Sequence, residues 1–459
     1  PLPTITQNSL LLNPLAVEES RTVSGTNNLI ANLDISYKII KGVIFKTQFG
    51  YNDQVRENTT ITPSTAINPL NPGTTIPNAS WARGVFRSIN IEPQLMYNGK
   101  IGIGKIDVLL GSTFFDRKNL NNSLSLDGFT SDLLLQSWAA ATSVSNRSNS
   151  SNTYRFNSVF SRVNYNWDSK YLINLTFRRD GSSRFGPKKQ WGDFGAVGLG
   201  WIFTNEKFFK DRIPALSYGK LRGSFGTTGN DNISDYRFTN LYSSNFYNGQ
   251  PGLSPSYLTD SSISWETSRK LDLALELGFF NDRVLVSANW YRTRSTNLLA
   301  STPVPTQTGF SSFITNLPAV VENKGWEFEL TTRNTLPQKK FQWRTNFNIT
   351  LLKNQLLEFP NLEKSSYGNR MKVGLPVNSP RLLLNAEWSQ IYEGVDPATG
   401  LPRFTDLNKD GLINNNDRTF IGSAIPRTFG GLGNTISYKG FDLDIFFQFS
   451  QQLTSNWLY

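Results

Sequence analysis

The sequence predicts an all-β fold, a transmembrane antiparallel barrel over residues 1–459. Three observations carry that expectation: long stretches of strict apolar and polar alternation, connections that switch between tight turns and long polar loops, and aromatic residues gathered beside the tight turns. Taken in chain order, the alternation is clear at residues 171–178, where Tyr171, Ile173, Leu175 and Phe177 share one face and Asn174, Thr176 and Arg178 the other. At residues 271–278, Leu271, Leu273, Leu275 and Leu277 oppose Asp272, Ala274, Glu276 and Gly278. Phe341, Trp343, Phe347, Ile349 and Leu351 oppose Gln342, Arg344, Asn346 and Asn348. Last come Phe441, Leu443, Ile445, Phe447 and Phe449 against Asp442, Asp444, Gln448 and Ser450. Successive side chains of a strand point to opposite faces, so each pattern separates an apolar face from a polar one. Roughly ten alternating residues is the length a tilted strand needs to cross hydrocarbon, whereas globular strands average about five or six. About 14 such strands are expected along the chain.

The connections follow the same logic. Tight turns are expected at residues 40–42, Asn98-Gly99, Asp168-Ser169, Asn281-Asp282, residues 336–339 and Lys439-Gly440, with a longer one across 204–214. Most carry Asn, Asp or Gly, the residues that hairpin turns select. Between them lie long stretches rich in Ser, Thr, Asn and Pro, near residues 54–83, 117–153, 180–191, 228–264, 296–322 and 355–427. Short ends are expected to be periplasmic and long ends extracellular. Trp167, Tyr171, Phe279, Phe280, Tyr438 and Phe441 crowd the short ends, as an interfacial girdle would. A soluble β-sandwich or β-helix seldom combines this strand length with this turn rhythm.

Composition agrees. With 38% hydrophobic residues, the 459-residue chain is poor in material for a thick core, but a barrel needs only one apolar residue in two because its lumen is wet. No run approaches the 20 or so apolar residues of a membrane-spanning helix. With no Cys and no His, thiol chemistry, disulfides, a Ser-His-Asp triad and imidazole-bound zinc are excluded. The net charge is +11, yet Lys and Arg are scattered singly and no nucleic-acid-binding motif occurs, so nucleic acid is not expected as a partner. Gly104-Lys105 lacks the spacing of a phosphate loop and reads as strand. The chain opens at Pro1 without a basic or apolar leader, so the expectation is a partial barrel whose export signal lies outside these residues.

Particular segments sharpen this reading. RRDGSSRFG at residues 178–186, WGDFGAVGLGWIFTNEKFF at 191–209 and LRGSFGTTGN at 221–230 resemble the SusC/RagA class of TonB-dependent outer-membrane transporters. SWETSRKLDLALELGFFNDRV at 264–284, NKGWEFEL at 323–330 and YKGFDLDIFFQFSQ at 438–451 continue the resemblance in the same order. It covers nearly the whole chain and is weakest over the first 150 residues. The resemblance implies a barrel of about 22 strands when complete, closed by an N-terminal plug, pulled by TonB through a segment before the barrel and capped by a SusD-like surface lipoprotein. It implies import of a bulky nutrient, an oligosaccharide (glycan) or a peptide, across the outer membrane of a Bacteroidetes-type bacterium. On that comparison the plug and the last strands are absent from this chain. The residues alone support only a polar-lined barrel in outer-membrane lipid, so a passive porin and a non-transporting adhesive or structural barrel stay open. An outer-membrane enzyme would need a convergent catalytic cluster, and no catalytic residues are assigned.

The sharpest local motif is DLNKDGLINNND at residues 406–417, which has the spacing of a calcium loop. Asp406, Asn408 and Asp410 supply oxygens, Gly411 permits the sharp turn, the Leu412 carbonyl takes the main-chain position, Asn414 acts through water and Asp417 closes the loop. Position twelve is Asp rather than a bidentate Glu and neither flank is helical, so any ion would be weakly held and structural; a solvated Asn- and Asp-rich turn is the plainer reading. Trp81, Trp138, Tyr242, Phe246, Tyr247, Tyr257 and Trp388 are loop aromatics expected mainly to pack within their loops rather than stack on cargo. Arg179, Asp180 and Arg184 sit beside a strand end, where a local ion pair or a turn is expected, and no ligand is assigned to them. The carboxylate pairs Glu327 with Glu329 and Asp442 with Asp444 read as polar lumen lining, not as a glycosidase pair.

Overall fold

The computed structural model describes residues 18–66, 77–210, 213–247, 250–336, 340–360, 386–414 and 417–453. The strands are β1 (Arg21–Ile40), β2 (Val43–Thr62), β3 (Asn78–Ile101), β4 (Gly104–Asp127), β5 (Ser143–Trp167), β6 (Tyr171–Ser182), β7 (Trp191–Trp201) and β8 (Leu216–Asn230). They continue with β9 (Tyr242–Tyr247), β10 (Gln250–Pro255), β11 (Glu266–Phe279), β12 (Val284–Pro303), β13 (Ser312–Arg333) and β14 (Phe341–Glu358). The last are β15 (Ala386–Gln390), β16 (Tyr392–Val395), β17 (Pro402–Phe404), β18 (Arg418–Tyr438) and β19 (Phe441–Leu453). Hydrogen-bonded neighbours run in sequence order from β1 to β8 and on through β11, β12, β13, β14 and β18 to β19, which gives fourteen long strands. The short β15 pairs with residues 418–423 of β18, beyond residues 428–438 that β14 occupies. Hairpins β9-β10 and β16-β17 stand apart within the long connections.

The chain packs as two units. One comprises Pro1–Ile39, Phe45–Gln94 and Gly111–Ser158; the other comprises Ile40–Ile44, Leu95–Leu110 and Val159–Tyr459. The second holds the short turns. Asp168 and Ser169 both take positive φ, 54° and 52°, the backbone of a primed hairpin turn whose twist matches the strands it joins. Lys439 and Gly440 do the same. Between β11 and β12 three consecutive residues, Phe280, Asn281 and Asp282, are left-handed, and the Asp282 N–H donates to Ser217 Oγ while Ser217 Oγ donates to Asp282 Oδ1.

Two expectations need correction. The second tight turn is not at Asn98-Gly99: the ladder runs through that pair, with the Asn98 N–H donating to the Gly42 carbonyl at 2.8 Å, and the chain reverses at Gly102-Ile103. Gly102 has φ +60°, a conformation costly for residues with a Cβ, so the glycine rather than the Asn-Gly signal fixes the reversal. The long connections are also shorter than expected, because strands run on into them: β5 is 25 residues long and begins inside the Ser- and Asn-rich stretch from Ser143. Outside the bilayer both faces of a strand are wet, so apolar alternation disappears while the hydrogen-bond ladder continues. Residues 337–339 of one expected turn, 211–212 of another and 361–385 of the last long connection lie outside the described residues.

Alternation places the apolar faces where a bilayer would cover them. Leu275 is 37% exposed whereas its neighbour Ala274 is 2% exposed beneath Arg222, its cross-strand partner. Leu221, Phe225, Leu273, Phe328, Phe441 and Phe447 are exposed on the same pattern, too much apolar surface for water but appropriate to lipid.

The compact hydrophobic clusters lie at the loop ends, while along the strands burial falls on single residues such as Ala274 and Ser158. In the first unit Ala79, Leu126, Phe129 and Leu135 pack with Ile61 and Leu124. Asp132 ties this cluster to Ser64, accepting from its N–H at 2.9 Å and its hydroxyl at 2.6 Å. In the second unit Phe185 and Phe194 pack on Trp265, with ring centroids 5.2 and 5.5 Å away. Trp265 Nε1 donates to the Gln190 carbonyl. Phe194 lies so close over Gly229 that a Cβ there would stand 2.1 Å from its Cζ.

Two outcomes follow from this packing. Leu275→Arg puts charge against hydrocarbon at a cost of about 2–4 kcal/mol. Ser287→Arg instead sits on the lumen face directly opposite Glu276 and Glu329. Heat-modifiable gel mobility should therefore show a large loss of folded protein for the first variant only, and equal yields would contradict the facing. Gly229→Ala forces the packed Phe194 ring aside, so thermal unfolding at a fixed scan rate should report a loss of about 1–3 kcal/mol. Phe194→Leu in the same chain should return part of it; no loss, or no recovery, would show that the ring is free to move.

Candidate functional site

The lumen faces of β8, β11, β12 and β13 form a continuous polar wall, charged on β8, β11 and β13 and neutral on β12, because an inward position recurs every second residue. Arg222 on β8 reaches across to β11, with Nε 2.9 Å from Glu276 Oε1 and Nη1 2.8 Å from Asp272 Oδ1. Lys220 also approaches Glu276, at 3.6 Å. On the next strands Asn289 Nδ2 donates to Glu327 Oε2 at 3.2 Å. A hollow beside this wall is lined in part by Asp107, Asn164, Asn166, Asn174, Lys220 and Arg222, with Asn174 donating to Asn164. The wall offers many hydrogen-bonding groups, and the acids Asp272 and Glu276 are held by cross-strand cations. That arrangement suits passage of a polar solute along the wall. Asp442 and Asp444 lie on β19, opposite Ser437 and Thr435 of β18.

In the 178–186 segment Asp180 forms a local ion pair, whereas Arg179 and Arg184 find their acids on other segments. Arg178 Nη2 lies 3.0 Å from Asp180 Oδ1, and Arg179 Nε lies 3.7 Å from Asp193, its cross-strand partner. Arg184 makes the most buried link: Nε is 3.1 Å from Asp235 Oδ1 and Nη1 donates to the Asp231 carbonyl at 2.9 Å. Ser182 Oγ donates to Asp231 Oδ2. These contacts pin the β6-β7 connection to the segment after β8, residues about 50 apart in sequence. The distant acceptors of Arg184 carry no spacing signal in the sequence.

At the calcium-like loop the chain curls as the spacing demands, with Lys409 and Gly411 at positive φ. The Gly411 N–H donates to Asp406 Oδ2 at 2.8 Å, and Asp410 accepts from the Leu412 N–H and from Asn408 Nδ2. Asn408 Oδ1 accepts from the Asp410 N–H. Asp417 is fully buried and accepts from the N–H groups of Asn414 and Leu407 at 2.8 and 2.9 Å. The Asn414 N–H, against the opposing effect of burial, and then the Leu407 N–H hold its carboxyl below the usual carboxylate range. Asp406 Oδ1 is shielded from solvent and accepts no hydrogen bond. Among the described residues no three acidic, His or Cys side chains form a ready-made metal cluster, so an ion here would depend on Asn408, the Leu412 carbonyl and Asn414 as much as on the carboxylates.

The loop aromatics divide. Trp81 and Trp138 pack together at 4.8 Å, and Tyr257 lies under the Arg237 guanidinium at 4.2 Å with its hydroxyl on the Tyr236 carbonyl. Tyr242, on the β9-β10 hairpin, is exposed. The Trp388 side chain lies outside what is described.

Comparison with known proteins matches this architecture. Residues 5–457 match the family model described as TonB dependent receptor-like, beta-barrel. TonB-dependent receptor P3 of Formosa agariphila is 30% identical across 97% of this chain and 47% of its own length. TonB-dependent receptor SusC of Bacteroides thetaiotaomicron is 27% identical across 97% of this chain and 45% of its own. The chain thus spans just under half the length of these relatives. Among solved structures, the RagAB peptide transporter shares the fold at TM-score 0.82, with 23% identity over 95% of this chain and 48% of that one. The wet lumen wall, the lipid-facing strands and the match over almost every residue lead to one conclusion: the chain belongs to the TonB-dependent receptor β-barrel family of the bacterial outer membrane.

Proposed function

We propose that the protein to which this chain contributes its barrel imports a bulky polar nutrient, an oligosaccharide or peptide, across the outer membrane. Energy comes from TonB acting through a segment that precedes the barrel strands, and a SusD-like lipoprotein covers the extracellular mouth. The observation that carries this reading is the balanced lumen wall around Arg222, Asp272 and Glu276 within a family of receptors. The neighbouring structure described as a peptide transporter supports a peptide as one cargo class, and the lipoprotein partner follows from the resemblance of the 178–230 motifs to the SusC/RagA class. The test is uptake of labelled oligosaccharides and peptides by cells carrying the intact protein, with and without TonB. Uptake that stops without TonB is expected. Uptake that persists would mean a passive porin, and none in either strain would favour an adhesive role.

We also propose that Asp406, Asn408, Asp410, the Leu412 carbonyl, Asn414 and Asp417 hold a structural calcium ion that stiffens this extracellular connection. The shielded, unpartnered Asp406 Oδ1 beside buried Asp417 favours it over a simple turn. Calcium should slow proteolysis of the connection, and the Asp406→Ala/Asp410→Ala variant should lose that protection; identical digestion of the parent with and without calcium would remove the site. Because the folded Asp417 carboxyl lies below its ordinary 3.8, its stabilising contribution is complete above that value and is lost as pH falls through the lower folded one. Protease resistance without calcium should fall in that acid window and not near neutrality.

A further inference from the structure

The outward face of β11 to β14 changes character at the extracellular end of the membrane span. Leu273 of β11 and Leu351 of β14 flank Trp290 and Trp326 in one cross-strand row. Tryptophan belongs at the headgroup boundary. In the next row outward, Leu271 is followed by Arg292, Lys324 and Lys353, each paired with the one before. One row further, Arg269 stands opposite Arg294, which stands opposite Glu322. The five cations lie eight to twelve residues from the short-turn ends of their strands. That is about the nine to eleven residues a tilted strand spends in hydrocarbon, so they emerge at the outer leaflet's headgroups.

Their charge is unbalanced. Glu322 is the single carboxylate in these rows, and it is buried between Arg294 Nε at 2.7 Å and Lys324 Nζ at 2.8 Å. Among the described residues Arg269, Arg292 and Lys353 have no acidic partner. Like charges directly opposite on neighbouring strands destabilise a sheet, and here Arg292, Lys324 and Lys353 are successive neighbours. By contrast, the outward Arg179 on β6 is matched by Asp193 on β7. A clustered, uncompensated set of cations beside an aromatic belt is the chemistry that retains an anionic lipid headgroup.

We propose that the outward face of β11 to β14 binds a phosphorylated lipid of the outer leaflet, its phosphates seated among Arg269, Arg292, Lys324 and Lys353 and its chains against Trp290, Trp326 and the leucines below. The bound lipid relieves the cation repulsion and fixes this side of the barrel in the leaflet. Native mass spectrometry of the delipidated intact protein tests it, with diphosphoryl lipid A, the same lipid without phosphates, and inorganic phosphate as probes. The protein should retain the phosphorylated lipid, and retention should fall about fivefold for each cation removed in Arg292→Gln and in Arg269→Gln/Arg292→Gln/Lys353→Gln. The lumen-face Lys270→Gln should retain it fully. Equal retention of the phosphate-free lipid, displacement by inorganic phosphate at equal concentration, no loss in the single variant, or a matching loss in Lys270→Gln would each overturn the proposal.

Discussion

Hydrocarbon offers backbone N–H and C=O groups no water, so each must find its partner in a neighbouring strand, and that requirement organises the rest of this chain. A sheet that satisfies it leaves only side chains to meet the surroundings, and the period of two then divides them into a lipid face and a lumen face. β11 illustrates the consequence: it is paired on both edges, by β8 and β12, and its leucines and its acids never exchange sides over the pairing. The side chains do not build a core in the usual sense. The buried clusters around Leu126 and around Trp265 lie where strands leave the bilayer and the chain must organise itself in water.

The same division explains the chemistry of each face. Inside, acids are tolerated because Arg222 and Lys220 stand across from them in a wet wall, and the result is a surface that can exchange hydrogen bonds with a passing polar molecule. On the outward face of β11 to β14 the described residues carry no charge through the span, and charge returns at Arg292, Lys324 and Lys353, just beyond a row containing two tryptophans. The two faces thus carry different chemistry, in keeping with membership of the TonB-dependent receptor β-barrel family.

The strands that cross lipid were legible because hydrocarbon imposes a strict pattern: residues 271–278 and 441–449 could be assigned a face from the sequence alone. Where water takes over, the constraint relaxes, and the strand beginning at Ser143 is illegible in the sequence because nothing in its Ser and Asn residues marks a face. Asn98-Gly99 misled for a related reason. A turn dipeptide states a local preference, whereas the pairing of Asn98 with Gly42 is set by the neighbouring hairpin. The ion pairs of Arg184 with Asp235 and the packing of Phe194 on Gly229 join distant segments, so only the fold reveals them. The 406–417 loop was the opposite case, since short-range spacing dictated its curl.

The central claim is the facing of the strands, and site-directed spin labelling along β11 measures it most directly. Single nitroxides at positions 271 to 278 of the intact protein in lipid nanodiscs would be compared for collision with oxygen, enriched in hydrocarbon, and with a water-soluble nickel chelate. The account predicts a period of two, with oxygen favoured at 271, 273, 275 and 277 and nickel favoured at the positions between. Accessibility that varies smoothly along the strand, or alternates in the opposite phase, would contradict it.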